Sequence, residues 1–208
     1  MSMSLRNTRI QSKRFAIFAA LGLLLSLSLG AKSSGDVSVK NFGKVNSNYF
    51  RGGQPDNQGF GDLKRIGVRT VIDLQAGDRQ DEESQVRSLG LNYINIPMDD
   101  HDRPYDEQVQ KFLSLVKDQK NWPVFVHCAG GRHRTGAMTA VYRMTTQGWD
   151  ADQAYREMKD YGFYTSWGHG GYKDYVFDYY NHHNLAAANA TVNAAANTAA
   201  AGAGASQK

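Results

Sequence analysis

The 208-residue chain contains one cysteine, Cys128, and Arg134 follows it across Ala129-Gly130-Gly131-Arg132-His133. Before them, Val124-Phe125-Val126-His127 is short and β-rich, bounded by Pro123 and by the two glycines; after them, Thr135 opens a helical stretch that runs to Gln147. Strand, Gly-rich loop and helix in that order build an anion nest. Successive backbone N–H groups turn toward one point, and the helix aims the positive end of its dipole at the same place. A tetrahedral phosphate fits there. Arg134 adds a planar fork for two phosphate oxygens, which lysine would not match. The same field stabilises the thiolate form of Cys128, which is the nucleophilic form, and Gly130 and Gly131 let the backbone come close to a ligand. Ala129, Gly130, Gly131, Arg132, His133 and Arg134 are therefore the candidate phosphate-binding residues, with Cys128 as candidate nucleophile. Taken alone, a buried cysteine reads as an inert small hydrophobe; its conjunction with Arg134 and the glycines points to chemistry.

The string from His127 to Gly136 resembles the signature loop of the cysteine-dependent phosphatases, in which His-Cys is followed by five residues, Arg and Ser or Thr, and every fixed position is filled. The resemblance implies a protein tyrosine or dual-specificity type phosphomonoester hydrolase that needs no metal or other cofactor. Cys128 would attack phosphorus and form a phosphocysteine, which water then hydrolyses. It also implies that His127 braces the loop and that Thr135 donates its hydroxyl to the leaving sulfur. Tyr49-Phe50-Arg51-Gly52-Gly53-Gln54-Pro55 and the alternating elements after it look like the compact dual-specificity branch.

Expelling an alkoxide or phenolate calls for a general acid. In this family it is an aspartate on an upstream loop, where Asp99, Asp100 and Asp102 compete and spacing does not choose among them. Pro97-Met98-Asp99-Asp100-His101-Asp102-Arg103-Pro104 resembles the acid loop of the phosphatase-and-tensin branch, which carries the role to Asp100, with Asp102 and then Asp99 behind it. Gly131-Arg132-His133-Arg134-Thr135-Gly136 is similar to the loop of plant and fungal atypical dual-specificity phosphatases that act on inositol pyrophosphates. Ala129 departs from the second lysine of the phosphoinositide branch. The expected substrate is a phosphorylated protein or, as the alternative, an inositol phosphate or phosphoinositide. Arg132 and His133 add positive charge at the mouth of the site, and His133 and His101 do so only when protonated. His169, His182 and His183 have no metal-ligand spacing, and Trp149, Trp167, Tyr172, Tyr175, Tyr179 and Tyr180 read as packing.

Two other classes compete. A rhodanese-like sulfurtransferase also carries a cysteine between strand and helix, but the five-residue gap to Arg134 argues against it. A non-catalytic phospho-ligand module usually lacks the cysteine, the arginine or the acid, and this chain retains candidates for all three.

These residues must be held by elements whose periods alternate. Val68–Leu74, Leu91–Ile96 and Val124–His127 read as strands. Asn57–Ile66, Asp81–Leu89, Glu107–Lys117, Thr135–Gln147, Asp150–Tyr161 and Gly171–Asn181 read as helices. Val109, Phe112, Leu113 and Val116 keep the spacing of one buried face, and Asp150 is placed as an N-cap with Gly162 as a stop. The expectation is a three-layer α/β fold: a mostly parallel central sheet with helices on both faces and the signature loop between a strand and a helix.

Around residues 36–184 lie two appendages. Arg6, Arg9, Lys13 and Arg14, then the uncharged Phe15–Leu29 and a small-residue end, read as a signal peptide over residues 1–31. That implies export, periplasmic or secreted, with an uncleaved N-terminal membrane anchor as the alternative and no stable membrane span after cleavage. The Ala/Asn-rich residues 185–208 read as a disordered tail. The net charge of +4 belongs to the first segment, without which the chain is formally neutral. A neutral domain lacks the drive of counterion release, which argues against a nucleic-acid partner.

Overall fold

Thr70–Gln75 (β3) and Val124–His127 (β5) are buried on both faces along nearly all their length, as inner strands of a parallel sheet should be. The structure, a computed structural model, describes residues 36–183. With β1 (Gly43–Asn46), β2 (Tyr49–Gly52) and β4 (Asn92–Met98), these strands form one sheet in the order β1-β2-β5-β3-β4. Neighbours from β2 to β4 run parallel, and β1 closes one edge antiparallel to β2.

Six α-helices lie among the described residues: α1 (Asn57–Arg65), α2 (Gln80–Ser88), α3 (Asp106–Lys117), α4 (Arg134–Gln147), α5 (Ala151–Asp160) and α6 over 170–183. Alternation along the strands divides the core in two. Val71 and Phe125 pack with Phe60, Leu63 and Val86 of α1 and α2. Ile72 and Val126 pack with Phe112, Met138, Ala154 and Val176 of α3 to α6. Each fully buried side chain of this kind contributes about 1.5–3 kcal/mol relative to exposure. The same parity sets the site: Cys128 shares the face of Val126, whereas His127 shares that of Phe125 and stacks on its ring at 5.5 Å.

Local signals behave as their chemistry requires. Asp150 accepts from Gln153 N–H at 2.7 Å while the Gln153 side chain accepts from Asp150 N–H at 3.0 Å, closing a capping box at the start of α5. Gly162 beyond its end has φ +75°, a conformation that favours glycine. On α3, Val109, Phe112 and Val116 are buried.

Helix ends shift by a residue or so, and the larger differences from the sequence expectation lie in the sheet. The β1–β2 hairpin is additional; its strands have only four residues each, and Lys44 and Arg51 interrupt any apolar pattern. β3 starts at Thr70 rather than Val68, and β4 continues through Pro97 to Met98. Proline is tolerated there because β4 is an edge strand. No helix of the described residues is long and apolar enough to cross a membrane. The signal reading of 1–31 and the tail reading of 185–208 lie outside the described residues.

Candidate active site

The loop after β5 is shaped by what holds its carbonyl groups. Gln54 N–H donates to Ala129 O at 3.1 Å. The Asn41 amide donates to Gly131 O at 3.1 Å and to Gly130 O at 3.4 Å, and Arg51 Nη2 donates to Gly131 O at 2.9 Å. Since C=O and N–H point opposite ways in a trans peptide, turning these carbonyls outward turns the following N–H groups inward. Gly131 has φ +66°, and a Cβ there would lie 2.4 Å from the Gly52 carbonyl carbon. Only glycine lets the loop close onto the end of β2.

Within the loop is a cavity of about 200 Å³, lined by Asp100, Cys128, Ala129, Gly130, Arg132, His133, Arg134, Tyr164 and His169. The candidate nucleophile, most of the candidate phosphate-binding residues and one of the three acids thus meet in one place. Arg134, at the first turn of α4, is 9% exposed; its Nη1 donates to Met98 O at 3.1 Å, which ties it to the end of β4. Gly131 is the buried hinge of the loop rather than part of the lining, and the Thr135 hydroxyl is buried without a hydrogen bond.

The acids separate by position. Asp99 accepts from His101 N–H at 2.8 Å, and that hydrogen bond holds its carboxyl below the usual carboxylate range, the wrong direction for a proton donor. Asp102 does not line the cavity. Asp100 does, with its Oδ1 2.7 Å from His101 Nδ1.

His133 adds charge only when protonated, and its surroundings disfavour that form. Burial, then the charge of His169 and of Arg132 and Arg134, pushes its pKa down to about 4, so its ring is a neutral wall at ordinary pH. Arg132 keeps an exposed guanidinium, and no carboxylate of the described residues pairs with it.

His127 lies on the other face of the sheet. Its Nε2 is 2.8 Å from Glu82 Oε1 without the alignment of a hydrogen bond, and its Nδ1 is 3.8 Å from Asp73 Oδ1. Ligand atoms of Asp73, Glu82 and His127 fall within 4.8 Å of one another, but Arg79 already pairs with both carboxylates, through Nε on Asp73 at 2.8 Å and through Nη2 on Glu82. This is an ion-pair network under the loop, with its cation supplied by the chain.

Three residues near the site are not evident from sequence alone. Arg51 is fully buried, its guanidinium carbon 3.9 Å from the Tyr161 ring centroid, and burial lowers its pKa. Tyr164 and His169 reach the cavity from the segment between α5 and α6, where no motif marks them. Trp167, expected to pack, is 84% exposed.

The family model described as DSP-PTPase phosphatase fused to NAD+ kinase matches residues 22–167, more than two-thirds of the chain. The dual specificity protein phosphatase TpbA of Pseudomonas aeruginosa is 30% identical over 124 residues; the match covers 59% of this chain and only 55% of that protein. A crystal structure of a P. aeruginosa TpbA variant in complex with pTyr superimposes with a TM-score of 0.58 at 27% identity, covering 65% of this chain and 82% of that one. The core catalytic domain of the PP-IP phosphatase SIW14 of Saccharomyces cerevisiae shares the fold, with a TM-score of 0.59 at 21% identity over 68% of this chain and 86% of that one. The chain belongs to the DSP-PTPase family of dual-specificity and tyrosine phosphatases.

Proposed function

We propose that the protein hydrolyses phosphate monoesters through Cys128. The observation that carries this reading is the convergence of Cys128, the loop to Arg134 and Asp100 on one small cavity. The inward N–H groups and Arg134 bind the phosphoryl oxygens and stabilise the charge that develops on them. Cys128 Sγ attacks phosphorus as the ester P–O bond breaks, and Asp100 gives its proton to the departing oxygen. Water then attacks the phosphocysteine and passes a proton to Asp100, and cleavage of the S–P bond restores the thiolate. No step calls on a metal. Asp100 is preferred over Asp99 and Asp102 because it alone of the three lines the cavity that holds Cys128.

Phosphotyrosine is the substrate class best supported. The neutral His133 ring and the Tyr164 ring wall the cavity, and TpbA is described with pTyr bound. The unpaired Arg132 at the rim favours a second reading, an inositol phosphate, whose several charges would engage it. We also infer export from the basic, apolar and small-residue order of residues 1–31.

The purified protein is expected to hydrolyse aryl phosphates in the presence of chelator, and Cys128→Ser to abolish turnover. Activity surviving that change overturns the mechanism. Asp100→Asn should slow phenyl phosphate on the order of 100-fold, within the usual contribution of a general acid. Phosphotyrosine peptides and inositol phosphates compared at equal concentration, with Arg132→Ala alongside, separate the two substrate readings. Selective loss of inositol phosphate turnover in the variant supports the second, and equal loss removes it.

A further inference from the structure

Asp100 has no apolar anchor of its own. Residues 99–102 are exposed, so the direction of the carboxyl depends on what grips the backbone. That grip comes from the segment between α5 and α6. His169, 7% exposed, lies 3.0 Å through Nδ1 from the Asp100 carbonyl oxygen, to which it donates. Its ring is stacked on His133 of the phosphate loop, centroids 3.7 Å apart and planes 10° apart, and on His101 at 5.0 Å and 9°. Three parallel imidazoles therefore bridge the acid-bearing loop and the phosphate loop. Tyr164 sets its edge against His133 at 4.4 Å and His169 at 5.3 Å, and Tyr172 donates to Asp99 O at 2.6 Å.

The backbone that delivers His169 is strained. Trp167 has φ +59°, uncommon for a bulky residue, and Gly168 follows at φ +85°. The exposed Trp167 side chain gains little packing in return, so the conformation is sustained by the rest of the turn. A Cβ at Gly168 would come within 2.9 Å of His101 Cδ2, so glycine is what lets the turn close on the acid loop.

We propose that His169 is a positioning residue for the general acid, tying the Asp100 backbone to the His133 ring so that the carboxyl faces the leaving group. The inference rests on Asp100 acting as the acid. Misplacement by about 1 Å can cost on the order of 100-fold in rate, and a residue acting on the acid alone affects only substrates that need one.

Leaving-group dependence tests this in the full chain. In His169→Phe, which keeps a ring but loses the N–H, kcat for phenyl phosphate should fall at least about tenfold, while 2,4-dinitrophenyl phosphate, whose leaving group needs little proton transfer, changes less than about twofold. Inhibition by vanadate should be unchanged. His169→Asn, which restores an N–H near the position of Nδ1, should recover part of the phenyl phosphate rate. Gly168→Ala keeps the His169 side chain but strains the turn that delivers it and presses on His101, and should give a smaller split of the same sign, which keeps the test open if His169 variants fold poorly. Equal loss on both substrates, or loss on neither, overturns the inference. If Asp100→Asn shows the split and His169→Phe does not, only the positioning role fails. If Asp100→Asn shows no split, the assignment of the acid fails and takes this inference with it.

Discussion

The two sides of the cavity are built by different means. The Cys128–Arg134 side is one continuous segment whose shape is imposed on the backbone: its carbonyls are held by Gln54, Asn41 and Arg51, and Gly131 rests on Gly52. The facing side gathers Asp100, Tyr164 and His169 from two separate segments and joins them through stacked rings and single hydrogen bonds to carbonyl oxygens. Hydrogen-bonded backbone wedged against a strand end has few alternatives. Rings on surface segments can slide or part at smaller cost, so the phosphate side should be the rigid partner and the acid side the adjustable one.

The rigid side is most vulnerable at Gly131. Gly131→Ala places a Cβ 2.4 Å from the Gly52 carbonyl carbon, in a conformation that L side chains rarely adopt. The loop must move off β2 and its N–H groups lose their common target. Aryl phosphate turnover should drop on the order of 100-fold or more, with good and poor leaving groups suffering alike. Because binding also weakens, the affinity for vanadate should fall in parallel. A variant that kept vanadate affinity and lost only poor leaving groups would show that the rigid and adjustable sides are assigned the wrong way round.

The same contrast explains what could be read from the sequence. Cys128, the glycines and Arg134 are contiguous, and a backbone geometry that few other residues allow dictates their types, so the segment that forms the phosphate side is legible in the sequence; that Gly131 serves as its buried hinge and that the His133 ring is neutral follow only from packing. Inner strands and helices are legible because residues 124–126 are uniformly apolar and the α3 face keeps its spacing. The β1–β2 hairpin was not, since four-residue strands carrying Lys44 and Arg51 have no period to detect. His169 has no metal-ligand spacing, and its partners are Asp100 and His133, far away along the chain. Stacking between distant segments leaves no local pattern. The buried Arg51 was visible only inside a motif, and its contact with Gly131 O belongs to the packing of β2 under the loop. Preference for Asp100 came from resemblance; the geometric grounds, Asp99 engaged by His101 N–H and Asp100 facing the cavity, arise only once the loop is folded.

The mildest test concerns the ring where the two sides meet. His133 titrates at about 4 in the folded protein, depressed first by burial and then by His169, Arg132 and Arg134, against about 6.5 in an unfolded chain. Between those values the unfolded chain holds a proton that the folded one does not, so stability decreases as pH falls from about 6.5 toward 4 and levels off below. Solvent screening of a partly exposed ring reduces the effect to about 1 kcal/mol, or roughly 2–4 °C in Tm for a domain of this size. His133→Gln removes the titration, so the Tm of the variant should lose less on acidification than that of the parent, with the difference confined to this window. Identical slopes would mean that the stack yields to admit a protonated His133, making the adjustable side soft enough to reshape the phosphate side with it.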